Sequence, residues 1–205
     1  MKKTSLLWVV LVMLALSAVY RAPAADQTFH VGPASSYSAK QTNENVTVAA
    51  VAYDTEELAH SAFGKTNPNQ YGVFPVLVVI QNDTGQALRM TNLEAEYIAP
   101  DDRRIEATPA ADLPYTIKGP KRPNPGGDVP LPIPIKIKHK NPLSEWEFEG
   151  RAFAVKMLPA KESANGFFYF QAHPLPGARL YLTGIVKAAD GQGIFYYEIP
   201  LEIHH

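Results

Sequence analysis

From Val46 onward, apolar runs of five to ten residues alternate with clusters of Gly, Pro, Asn and Asp, and this rhythm constrains the fold more than any other feature of the chain. Runs that short, cut by turn-forming residues, suit strands joined by turns rather than a strand–helix–strand repeat. Residues 73–81 are apolar on both alternating sets, Val76, Val78 and Ile80 against Leu77 and Val79, and so read as a central strand covered on both faces. Residues 93–98 alternate instead, with Leu93, Ala95 and Tyr97 on the core side and Glu94 and Glu96 towards water. The same pattern returns in residues 194–203, where Phe195, Tyr197, Ile199, Leu201 and Ile203 oppose Glu198 and Glu202. Further strands are read at residues 46–53, 103–107, 166–171 and 179–187.

One helix is signalled clearly. Asp54 can cap, Glu57 stands three residues on, Tyr53 and Leu58 are placed for a hydrophobic staple, and Gly64 supplies a left-handed stop, which predicts a helix over 55–63. Residues 142–149 fit two templates: Asn141-Pro142 could start a short helix, and Glu145, Trp146, Glu147, Phe148 and Glu149 also alternate like a strand. The helix is the preferred reading. Ten of the eighteen prolines fall between Pro100 and Pro142. Among them Pro130, Pro132 and Pro134 would remove N–H donors from one edge only, as in an edge strand protected against pairing, with a polyproline II segment as the rival.

Two stretches carry a resemblance. Residues 71–104, YGVFPVLVVIQNDTGQALRMTNLEAEYIAPDDRR, resemble the strand, Asn-rich turn, strand and Pro-Asp turn of secreted bacterial immunoglobulin-like domains of unknown function. Residues 157–170, MLPAKESANGFFYF, are similar to the Leu-Pro-x-x-Glu-Ser-x-x-Gly-aromatic hairpin start of such domains. The resemblance implies a two-sheet sandwich facing the periplasm or the exterior, and it transfers no functional residue. The expected fold is therefore all-β: an antiparallel immunoglobulin-like β-sandwich with one or two short helices and a Pro-rich insertion.

The N-terminus adds an address. Lys2 and Lys3, the apolar residues 6–19 and the small residues of Ala22-Pro23-Ala24 follow the export pattern, with cleavage expected after Ala24 or, earlier, after Ala18. An apolar run of 14 residues is shorter than the roughly 20 that span a bilayer, so a cleaved signal is preferred to a retained anchor. The expected organisation is a signal at 1–24, a flexible polar arm at 25–45 and a β-sandwich at 46–205, periplasmic or secreted, with no membrane span in the mature chain. There is no cysteine, so stability must come from packing. The mature chain keeps sixteen Lys and Arg against twenty Asp and Glu, a net charge of −4 that argues against a nucleic-acid partner.

That charge is unevenly spread. Lys118, Lys121, Arg122, Lys136, Lys138 and Lys140 face only Asp128, giving residues 118–140 a charge of +5 and leaving −9 for the rest. Such a span suits a protein or anionic envelope polymer as partner, against the plainer reading that lysines on an edge strand repel other edges. A second candidate surface is aromatic: Trp146, Tyr169, Tyr181, Tyr196 and Tyr197 could stack on sugars or peptides, although strand aromatics are more often core.

Chemistry-bearing patterns are sparse. No Gly-x-Ser-x-Gly elbow is present, leaving Ser61, Ser144 and Ser163 as isolated serines beyond the arm. The histidines His30, His60, His139, His173, His204 and His205 lack metal-ligand spacing. The carboxylate pairs Glu94/Glu96 and Glu198/Glu202 fall on solvent faces. No cofactor, metal or catalytic residue is assigned. The sequence reads as an exported, non-catalytic binding or structural module of the cell envelope, with a carbohydrate-binding module as the alternative and a hydrolase assembled from distant residues as the least favoured.

Overall fold

The computed structural model describes residues 29–116, 141–144, 146–194 and 196–204. Among them lie eleven strands, paired in antiparallel ladders: β1 (Lys40–Asn43), β2 (Val46–Ala52), β3 (Phe74–Asn82), β4 (Leu88–Arg89), β5 (Glu94–Ile98), β6 (Arg104–Glu106), β7 (Met157–Leu158), β8 (Ser163–Phe170), β9 (Arg179–Thr183), β10 (Val186–Lys187) and β11 (Tyr197–Pro200). Two short α-helices accompany them, α1 (Glu56–Phe63) and α2 (Trp146–Arg151). The strands order as β1-β2-β3-β8 in sheet A, β11-β9-β5-β6 in sheet C, and a small sheet B, β10-β4-β7. The fold is an all-β sandwich.

The doubly apolar β3 lies at the centre of sheet A, and its two faces feed two cores. Phe74, Val76, Val78 and Ile80 point between the sheets, where they meet Val46, Val48, Ala95, Tyr97, Leu180 and Ile199. Leu77 and Val79 face outward into a second cluster with Phe63 of α1, Phe148 of α2, Leu113, Phe167 and Tyr169. Strand β3 is therefore covered on both faces. The outer cluster is dominated by rings: Phe63 stacks on Phe148 at 4.8 Å, and Tyr53 meets Phe167 edge-on at 4.8 Å.

Residues 29–45 differ from the expected flexible arm. Glu44 and Asn45 both take positive φ, 48° and 61°, and form the two-residue turn that pairs β1 with β2 in register from Asn43↔Val46 to Lys40↔Ala49. Ala34 and Ala39 are buried and Phe29, Val31 and Tyr37 pack on the outer core, so the sandwich begins well before Val46. The segment looks polar because β1 is an edge strand whose side chains bond laterally: Thr42 and Thr47 hydroxyls meet at 2.8 Å, Gln41 Oε1 accepts from Glu198 N–H at 2.8 Å, and Asn43 Nδ2 donates to Tyr196 O at 3.0 Å.

Helix α1 forms where its signals predicted, one residue later than expected. Thr55, extended at φ −90° and ψ 154°, is the cap, and its hydroxyl accepts from Leu58 N–H at 3.2 Å. Asp54 is instead nearly buried and accepts from the backbone and the ring of His204, the latter at 3.2 Å. Gly64 ends the helix at φ 65°, its N–H on His60 O at 2.9 Å. The second ambiguity resolves as helix: Pro142–Ser144 is a 3-10 turn that leads towards α2. Leu143 N–H bonds to Asn141 Oδ1 at 3.0 Å, while Asn141 Nδ2 donates to Pro114 O at 2.6 Å. The prolines at 130, 132 and 134, and with them the edge-strand and polyproline readings, lie outside the described residues.

Candidate functional site

Among the described residues sheet C presents a broad solvent-facing strand surface, because alternation sends Ala95, Tyr97, Leu180, Leu182, Tyr197 and Ile199 inward and leaves the intervening residues outside. Register lines those residues into a row across four strands: Glu198 opposite Tyr181, Tyr181 opposite Glu96, and Glu96 opposite Glu106. Tyr196, half exposed, enters beside Tyr181 with ring centroids 5.2 Å apart and planes tilted by 30°. The Arg104 guanidinium sits 4.7 Å above the Tyr181 ring and donates to Glu96 at 2.7 Å. That hydrogen bond to the Glu96 carboxylate raises the Arg104 pKa. Arg179 spans Asp102 at 2.8 Å and Glu198 at 3.2 Å on the same face. The product is a pair of tyrosine rings framed by two guanidinium–carboxylate forks, held by the sheet register.

The five aromatic candidates do not form one platform. Tyr181 and Tyr196 come together; Trp146, 71% exposed, stands on α2 over the outer face of sheet A. Tyr169 and Tyr197 are corrected from platform to core: both are fully buried, with hydroxyls donating to Phe148 O at 2.8 Å and to Val46 O at 3.1 Å. Burial pushes both phenols well above the ordinary range. Tyr197 shares the inward set of its own alternating strand, and Tyr169 belongs to the face of sheet A that the helices cover. Sequence reasoning missed Arg104 and Arg179, whose only signal is their place opposite a tyrosine or a carboxylate in a neighbouring strand, which needs the register to be known. The basic candidates Lys118, Lys121, Arg122, Lys136, Lys138 and Lys140 lie outside the described residues.

Other candidate chemistry is dispersed. Among the described residues no three of His, Asp and Glu are gathered as metal ligands. Glu96 and Glu198 are engaged by arginines, Glu202 accepts from Ser38 at 2.7 Å, and the Ser61 hydroxyl donates to Leu58 O at 2.7 Å. Among the described residues no helix is long and apolar enough to cross a membrane.

Neither a family model nor a curated protein matches the chain. A solved structure from Listeria monocytogenes EGD-e, described as a functionally unknown protein, is similar at 12% identity and a TM-score of 0.35, over 80% of this chain and 82% of that one.

Proposed function

We propose that this chain is an exported, non-catalytic binding module of the cell envelope, related to the secreted immunoglobulin-like domains it resembles, and that the outer face of sheet C is where it takes hold of a polysaccharide. The observation that carries this reading is the Tyr181–Tyr196 pair with Arg104 above it, on a sheet face that no described layer covers. Sugar rings present apolar C–H faces that stack on tyrosine, and their vicinal hydroxyls suit the planar forks of Arg104 with Glu96 and Arg179 with Glu198. Export rests on the N-terminal pattern of residues 1–24, and cleavage is tested by N-terminal sequencing of the protein recovered from the periplasm or medium.

The binding test is affinity electrophoresis through gels loaded with envelope polysaccharides, wild type beside the Tyr181→Ala/Tyr196→Ala pair. Retardation by at least one polysaccharide, weakened about thirtyfold in the double variant, is expected if each ring contributes near 1 kcal/mol. A chain that no polysaccharide retards, or a double variant retarded as strongly as wild type, overturns the reading. A separate contact through residues 118–140 is favoured by their +5 charge against −9 elsewhere. Charge reversal at Lys136, Lys138 and Lys140 is then expected to abolish a salt-sensitive association with envelope extract, and unchanged association removes that surface from consideration.

A further inference from the structure

The tyrosine pair on sheet C lies in a row of carboxylates. Register carries that row from Glu198 on β11, past Tyr181 on β9, to Glu96 on β5 and Glu106 on β6, so the Tyr181 ring has a carboxylate beside it on either neighbouring strand. Glu94 stands two residues along β5 from Glu96, opposite Thr183. With strands about 4.8 Å apart, Glu106 is about 10 Å from Tyr181, which is about one Debye length at 0.1 M salt. Charge anywhere along the row is therefore felt at the rings.

The cations of this face are already engaged. Arg104 is held by Glu96 at 2.7 Å, and Arg179 by Asp102 at 2.8 Å and Glu198 at 3.2 Å. Arg103 and Asp101, at the neighbouring turn, pair with each other at 2.7 Å. Glu94 and Glu106 are exposed and have no ion-pair partner among the described residues. Two guanidiniums thus stand against five carboxylates, Glu94, Glu96, Glu106, Glu198 and Asp102, a net charge of −3 around the rings. A sugar hydroxyl can donate to these carboxylates or accept from the remaining guanidinium N–H groups without bringing in charge. A carboxylate, phosphate or sulfate on the polymer meets like charge on both sides of Tyr181, and the guanidiniums that could answer it are neutralised.

We propose that the polysaccharide this face takes is uncharged, and that Glu94 and Glu106 set that preference by repelling acidic polymers. The proposal rests on the polysaccharide reading of the tyrosine pair: the rings make the site, and the carboxylates choose among its ligands. The test is affinity electrophoresis at low salt through gels loaded with dextran, mixed-linkage β-glucan or galactomannan, each beside its own carboxymethyl derivative, and with envelope polysaccharides alongside. Only retardation that is lost in the Tyr181→Ala/Tyr196→Ala pair is counted, which removes any contribution from other surfaces. At least one neutral polymer is expected to retard the wild type, with its derivative bound about tenfold more weakly, as three net charges acting over about 10 Å would give. Raising the salt to about 0.5 M closes most of that gap. The Glu94→Gln/Glu106→Gln variant keeps both rings and both forks. It is expected to bind the neutral polymer as before and to narrow the gap to about twofold. Derivatives retarded as strongly as their parents, a glutamine variant that discriminates as sharply as wild type, or retardation by acidic envelope polysaccharides alone overturns the proposal and leaves the polysaccharide reading standing. Absence of tyrosine-dependent retardation in every gel overturns that reading and the proposal with it.

Discussion

Single buried polar atoms tie this sandwich together. Asn82 is fully buried at the end of β3, and its Nδ2 donates to Gln86 O at 2.9 Å, Pro159 O at 2.9 Å and Leu158 O at 3.3 Å, while its Oδ1 accepts from the Thr84 amide and hydroxyl at 3.1 and 2.6 Å. One amide thus joins β3, its turn and the approach to β8. Truncation leaves three carbonyls without that donor, the Leu158 one buried and those of Gln86 and Pro159 partly so, and Asn82→Ala is expected to lower the unfolding free energy by about 2 kcal/mol, read from urea midpoints. The tyrosines act similarly. Tyr97, Tyr169 and Tyr197 each send a hydroxyl from a core to a carbonyl of another segment, Tyr97 to His173 O at 3.0 Å. Burial raises the phenol pKa of all three, and pushes Tyr53 up to about 12 with help from Tyr37. A raised folded-state pKa means that the folded chain holds the proton longer. The stability linked to Tyr53 is therefore fully present below the ordinary value of 10 and is lost as pH climbs from there through about 12. Stability is expected to fall above pH 10 by up to about 1.4 kcal/mol per pH unit for each buried tyrosine. The Tyr53→Phe variant should fall less steeply over that window; an equal slope would show that Tyr53 does not contribute. The period-2 pattern already placed Tyr197 among core residues, and the aromatic-platform reading set that aside. Tyr169 could not be placed so easily, because alternation tells which residues share a face but not that helices cover it.

Elements were legible where local chemistry decides them and illegible where partners do. The sequence marked β3, β5, β9 and β11 through apolar periodicity, and α1 through its staple and glycine stop. It did not mark β1, whose Lys-Gln-Thr-Asn composition makes sense only beside β11. On that side β11 exposes the N–H of Glu198 and no N–H at Pro200, and Gln41 takes the one donor. A proline and two side-chain bonds thus close an edge that would otherwise invite pairing. The sheet C contacts were hidden for the same reason: Arg104 reaches Tyr181 through a register set by β5, which lies between them. Helix α1 offers a test at this scale. Thr55→Ala removes the hydroxyl that accepts from Leu58 N–H and should cost about 1 kcal/mol, whereas Asp54→Ala leaves the cap and frees the segment at His204. The corner between β9 and β10 is less forgiving. Gly184 has φ 90°, and a Cβ there would lie 1.8 Å from Asn92 O, so Gly184→Ala cannot be accommodated without moving the backbone. Loss of more than about 3 kcal/mol, or failure to fold, is the expected outcome by denaturation.

Across the whole molecule the layers run helices, sheet A, sheet C, and this order separates the two exposed aromatic regions. Trp146 reports on the helical layer, while Tyr181 and Tyr196 lie on the far face of sheet C. A ligand seated on the tyrosines should therefore leave Trp146 emission unchanged, and a ligand that shifts it points to the helical side. The same layering makes the N-terminal strand a structural member of both cores. Ala39 contributes to the core between the sheets; Phe29, Val31, Ala34 and Tyr37 contribute to the outer one, where Arg151 lies 4.2 Å over the Phe29 ring. Removing residues 25–45 strips these contacts, bares the pairing edge of β2 and removes the bonds from Gln41 and Asn43 that cover β11. Several half-buried or buried apolar side chains at about 1.5 kcal/mol each put the loss at about 5 kcal/mol or more, comparable to the whole stability of an ordinary domain. A chain beginning at Val46 is thus expected to aggregate or to unfold at much lower urea than one beginning at Ala25. If the two instead unfold together, with the same midpoint and slope, residues 25–45 add nothing to the sandwich and the arm is dispensable.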